Sequence, residues 1–278
     1  MPFDGEIGPE NKGTSIDDEK GLLLPEGKEL LVKEACLSHV QISTIFTCDL
    51  QKKEALLLIG LMAVLTPELW EKLEEEARRY YEKDGGSHRF DHVKRVLALA
   101  ERLALAEGAD PEVVRVAALF HDIGRAEERR TKGKVCHAAY GAELVRKILS
   151  RLGLPKEFIE KVAEAIASHR FRGNKRPETP EAKVLFDADK LDALGAVGIG
   201  RAFLFAGEVG ARLHNPEVDL SETEPYSQED TAWREFKLKL SKIKDRMLTE
   251  EGRRLAEERY RFMELFFDRL NREVKGEL

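Results

Sequence analysis

The sequence predicts an all-α protein. Apolar residues recur at three- and four-residue spacing through nearly every segment after Thr66. Glycines and polar-proline pairs punctuate those segments where helices stop and start. No alternating polar–apolar run competes as a strand.

Thr66-Pro67 supplies a cap and a first helical residue, opening a helix that runs to about Lys83 and stops at Gly85-Gly86. A second helix begins near Asp91, which stands where a cap would, and carries Val93, Val96, Leu97, Ala100 and Leu103 on one stripe before Gly108. Asp110-Pro111 opens a third, with Val113, Val114, Ala117, Ala118 and Phe120, which ends at His121-Asp122-Ile123-Gly124. A fourth spans roughly His137 to Leu152, and a fifth opens at Pro155 and closes at His169. A sixth runs from Pro180 to about Leu194. Then comes a glycine-rich stretch, Gly195 to Gly210, and a polar loop, His214 to Glu229, both read as irregular. Long C-terminal helices follow from Thr231 to about Val274. Residues 1–61 differ: their start is rich in Gly, Asp and Glu and has no periodicity, so they read as a poorly structured extension. Whether the native polypeptide begins at Met62 stays open. Residues 62–278 read as one domain, C-terminal helices included.

The chain has 278 residues, enough for a sizeable core, and a formal charge of −6. An acidic surface does not steer a protein to nucleic acid, which argues against a nucleic-acid module. Three cysteines, Cys36, Cys48 and Cys136, are too few for a disulfide framework and suit a reducing compartment. The longest apolar run, Ala55 to Leu65, is too short for a membrane span. These features predict a soluble cytoplasmic protein.

His121-Asp122 is the most informative pair. Side by side at the end of an apolar helix, they are costly to bury without partners, and imidazole with carboxylate is a ligand set for divalent transition metals. His92 shares the stripe of Val96 and Leu99 on the second helix. Asp187 and Asp189 both lie on inward stripes of the sixth, and periodicity does not choose between them. Two imidazoles and two carboxylates suit Mn, Fe, Co, Ni or Zn and leave positions open on an octahedral ion. His137 and His169, at the ends of two other helices, are candidates for a second ion with Asp122 bridging. His88 stands four residues before His92, a pairing that needs an early helix start.

Together the segments FDHVKRV, AALFHDIGR and FDADKLDALGAVGIGRAF resemble the HD superfamily of metal-dependent phosphohydrolases, within it a clade with a DADKLDA-G-GI-R segment. The resemblance covers about residues 80 to 205, and TEEGRRLAEERYRFMELFF resembles that clade's tail. It implies an HD-domain helical bundle in which His92, His121, Asp122 and Asp189 are the metal ligands, thereby selecting Asp189. It places Arg95 after the first ligand, and Lys190 and Asp192 beside the last. The implied activity is hydrolysis of a nucleotide or related phosphate ester or anhydride by metal-activated water, with nucleoside triphosphates as the narrower substrate. Asp122, Arg95 and Lys190 are then the catalytic candidates, and Arg125, Arg170 and Asp192 the residues at the substrate phosphate, with Arg172 a further cation. The competing reading is a helical sensing or regulatory protein with a non-catalytic metal site. The apolar stripe of the C-terminal helices, Phe236 to Phe267, is read as packing on the domain, with homodimerisation as an added use.

Overall fold

The computed structural model describes residues 64–81, 90–170 and 175–278, and among these it contains helices and no strand. In chain order they are α1 (Pro67–Tyr81), α2 (Phe90–Glu107), α3 (Pro111–Phe120), α4 (Arg125–Arg130), α5 (His137–Arg151), α6 (Lys156–Ser168), α7 (Pro180–Leu191), α8 (Gly195–Glu208), α9 (Ala232–Leu238) and α10 (Glu250–Val274). Three short 3-10 turns lie between α8 and α10. The N-terminal extension, Cys36, Cys48, His88 and Arg172 lie outside the described residues.

Most helix starts follow from local chemistry. Asp110 accepts from the backbone N–H of Glu112 and Val113 ahead of Pro111. Thr179 caps α7 ahead of Pro180, Thr231 caps α9, and Thr249 caps α10. Asp91 falls inside the first turn of α2 rather than capping it, and its carboxylate takes a hydrogen bond from Arg95 Nη1 at 2.7 Å.

Two elements differ from the sequence reading. Arg125–Arg130 is a short helix, α4, with no buried residue to give it a periodic stripe. The glycine-rich stretch is the helix α8. Glycine weakens a helix by up to about 1 kcal/mol per residue relative to alanine, yet packing overrides that preference here. Ile199, Ala202 and Ala206 are buried, and α8 lies against α10. Gly198 is required, since a Cβ there would sit 2.2 Å from the Ala193 carbonyl oxygen.

The helices pack around one continuous core: α2 lies between α3 and α7, α5 packs on α6, and α6 bridges α3 and α7. Phe120, Leu103, Leu149, Ile166, Leu185 and Leu194 are among its fully buried side chains. The aromatic stripe of the C-terminal helices is part of this core, as expected. Phe267 is fully buried and stacks on Phe236 with ring centroids 4.7 Å apart.

Tyr81, at the end of α1, fixes the end of α3. Its hydroxyl donates to the Leu119 carbonyl at 3.1 Å and accepts from the Asp122 backbone N–H at 3.3 Å. Tyr81→Phe keeps the ring and strands both backbone groups, so unfolding in denaturant should show a loss of about 1–3 kcal/mol. An unchanged midpoint would mean that these hydrogen bonds contribute nothing.

Candidate metal centre

His92 comes from the first turn of α2, and His121 and Asp122 from the turn that ends α3. His137 opens α5, His169 ends α6, and Asp189 projects from α7. All six are buried. Gly124 makes the close approach possible, because a Cβ there would lie 2.2 Å from the backbone oxygen of His137.

Each of these four histidines is oriented through Nδ1. That atom donates to Asp192 Oδ2 in His92 (2.7 Å), to the Ala118 carbonyl in His121 (2.8 Å), to Glu128 Oε2 in His137 (2.9 Å) and to the Ile166 carbonyl in His169 (2.6 Å). Such bonds fix the tautomer and leave Nε2 for a ligand. The Nε2 atoms turn inward. That of His92 is 3.3 Å from that of His121 and 3.4 Å from Asp189 Oδ1. Those of His137 and His169 lie 3.6 and 3.5 Å from Asp122 Oδ1, while Asp122 Oδ2 is 3.6 Å from His121 Nε2. Asp122 therefore stands between two groups, His92–His121–Asp189 and Asp122–His137–His169, each with ligand atoms within 4.8 Å of one another.

The donor set fits a divalent transition metal. The Nε2 atoms of His137 and His169 are buried without a hydrogen-bond partner, a costly state for polar atoms that a cation relieves. Burial lowers His121 to about 3 and His137 to about 4, so both are neutral donors at pH 7. Burial works against a charged His92 too, but the carboxylates of Asp189 and Asp192 outweigh it and raise its pKa to about 8. Burial would raise Asp189, yet Lys190, His92 and His121 hold it well below the usual carboxylate range.

Asp187 faces elsewhere. Its carboxylate accepts from the backbone N–H of Leu248 and Thr249 and from the Thr249 hydroxyl, at the N-terminus of α10. The geometry thus separates two aspartates that periodicity could not.

Asp192 and Arg95 lie behind the centre. Asp192 is buried and accepts from His92 Nδ1, from Arg95 Nε at 2.7 Å and from Arg201 Nη1 at 2.6 Å. Its acidity follows: burial opposes the charge, but His92 and Arg95 bring it to about 2. The ammonium of Lys190 meets Asp189 Oδ2 at 2.5 Å. Asp192→Asn leaves the shape and removes the charge behind His92, so affinity for Mn2+ in a chelator competition should fall about 10- to 100-fold. Wild-type affinity would rule out this support.

A cavity of about 890 Å³ adjoins the centre, lined by His137, His169 and Asp189 and by Arg125, Arg170, Lys190 and Arg201. Neither Arg95 nor Asp192 lines it. Arg201 and Glu128 were not among the residues picked from the sequence. Arg201 was legible in the GIGRAF segment, had the glycines not masked a helix. Glu128 sits on α4, which has no periodic signal.

A helical bundle with convergent histidines and aspartates defines a metal-binding domain. Residues 89–194 match the HD domain family. The YpgQ protein of Bacillus subtilis (strain 168) is 36% identical over 197 residues, 69% of this chain and 87% of YpgQ. The crystal structure of YpgQ in complex with ADP superposes with a TM-score of 0.58 at 32% identity, covering 73% of this chain and 98% of that one. An HD-superfamily hydrolase from Bacillus thuringiensis gives a TM-score of 0.59 at 30% identity, covering 74% and 96%. Ribonuclease Y of Acholeplasma laidlawii is 38% identical over 108 residues, 39% of this chain and 18% of the ribonuclease. The chain belongs to the HD superfamily of hydrolases. No helix among the described residues is long and apolar enough to cross a membrane.

Proposed function

We propose that this chain is a metal-dependent phosphohydrolase of nucleotides. The observation that carries the reading is the convergence of four Nε2 atoms and two carboxylates beside a cavity whose lining includes the cationic side chains of Arg125, Arg170, Lys190 and Arg201. His92, His121 and Asp189 would hold one ion and Asp122, His137 and His169 another, and the imidazole content favours Mn, Fe, Co, Ni or Zn. Bound there, such an ion polarises a phosphoryl oxygen and lowers the pKa of water.

The chain's own residues do the rest. Arg125, Arg170, Lys190 and Arg201 present positive charge where the phosphoryl oxygens carry negative charge in the transition state. Asp122 or Asp189 takes the proton from the attacking water. Asp192 and Arg95 act as positioning residues, holding the His92 ring through Nδ1. The reading of the substrate as a nucleotide is supported by cavity size, by these cations and by the ADP bound to YpgQ. Nucleoside triphosphates are the narrower expectation.

The test is elemental analysis together with hydrolysis of a nucleotide panel over Mn, Co, Ni and Mg. Bound metal with turnover supports the proposal. Bound metal with no turnover on any nucleotide favours the sensing alternative.

A further inference from the structure

The cavity extends beyond the metal centre to α8 and to Pro225 and Tyr226. One stripe of α8 lines it, Gly198, Arg201, Ala202 and Phe205, at the three- and four-residue spacing of a single helix face. Arg201 is tied to Asp192, which holds His92. Phe205 therefore stands just over one turn, about 6 Å, farther along the helix from that anchor. Gly198 and Ala202 keep the rest of that stripe small.

Opposite Phe205 is Tyr226, which also lines the cavity; the rings meet edge to face with centroids 5.9 Å apart. Tyr226 is held in an unusual way. Its backbone has φ of 59°, a region that a non-glycine residue seldom enters. Its backbone N–H donates to Asp230 Oδ2 at 2.8 Å. Arg234 fastens both ends of the loop: Nη1 donates to Asp230 Oδ1 at 2.7 Å, Nε to the Thr223 hydroxyl at 2.5 Å and Nη2 to the Thr223 carbonyl at 3.0 Å. Yet Tyr226 as a residue is 77% exposed, so burial does not account for its placement. Backbone constraint spent on presenting an exposed aromatic at a cavity mouth indicates a ligand contact.

We propose that Phe205 and Tyr226 form a base subsite that stacks the heteroaromatic ring of a nucleotide whose phosphates lie toward Arg201 and the metal centre. The subsite rests on the reading of the chain as acting on nucleotides. Just over one helical turn between Arg201 and Phe205 is a spacing that a ribose bridges. Stacking accepts any base, so the subsite selects nucleotides over phosphate-only anions without choosing strongly among bases.

The experiment measures binding of ADP and of inorganic pyrophosphate, each with Mn2+, to the full chain and to Tyr226→Ala, Tyr226→Phe and Phe205→Leu. The expected result is ADP affinity about ten-fold lower in Tyr226→Ala and Phe205→Leu, pyrophosphate affinity unchanged, and near wild-type behaviour in Tyr226→Phe. Loss of both ligands together, or of neither, overturns the subsite. If the wild-type chain shows this pattern yet hydrolyses no nucleotide, the hydrolase reading fails and the subsite stands. If it hydrolyses nucleotides and Tyr226→Ala binds ADP normally, the subsite fails alone.

Discussion

Replacing Asp122 with alanine should abolish both metal retention and nucleotide hydrolysis, lowering kcat/KM by about a thousand-fold or more, the scale of several kcal/mol of charge stabilisation. The size of the effect follows from position. Asp122 is the one residue with an oxygen toward each histidine pair, Oδ1 toward His137 and His169 and Oδ2 toward His121. Its loss removes a ligand from the Asp122–His137–His169 group and a carboxylate oxygen facing His121, and also removes the partner of Arg125 Nε. Asp122→Asn is the companion variant, since it keeps the shape and should fold while still losing affinity. Metal content by elemental analysis, circular dichroism and turnover are read on the same preparations. A folded alanine variant that retains metal and activity would place the chemistry elsewhere.

The second large effect is on stability. Asp187→Ala should destabilise the domain by about 3 kcal/mol, because it strands two backbone N–H groups and a hydroxyl at the N-terminus of α10, at about 1–3 kcal/mol for each unsatisfied buried group when partly relieved by water. Gly252 packs so near that a Cβ there would sit 2.3 Å from Asp187 Oδ2, so the alanine variant also leaves a gap. Asp189→Ala should do the reverse, sparing the denaturation midpoint more than the metal. The paired measurement is urea unfolding and metal content for both variants. Equal effects of the two substitutions on both quantities would contradict the division of labour between them.

These two aspartates show where sequence reading stops. Most helix starts were legible because a cap is local: Asp110-Pro111 carries its signal within a few residues, and so does Thr66-Pro67. Ligand types were legible too, since a His-Asp doublet on an apolar helix is conspicuous. The choice of Asp189 over Asp187 depended on family resemblance, because both point inward and their partners lie on other helices. The support given by Asp192 was hidden for the same reason, its partner His92 being 100 residues away. The Gly195–Glu208 helix was missed because glycine's intrinsic cost is local while the contacts that overcome it, on α10, are not.

The spread of the ligands along the chain also dictates an order of assembly. Asp122, His137 and His169 all lie between the end of α3 and the end of α6, so their group can close once those helices have met. Asp189 joins only after the long segment between α2 and α7 has been looped back onto His92, a contact of high sequence separation with a larger closure entropy. During synthesis the four histidines and Asp122 thus precede Asp189, and a chain interrupted before α7 lacks the last ligand of the centre.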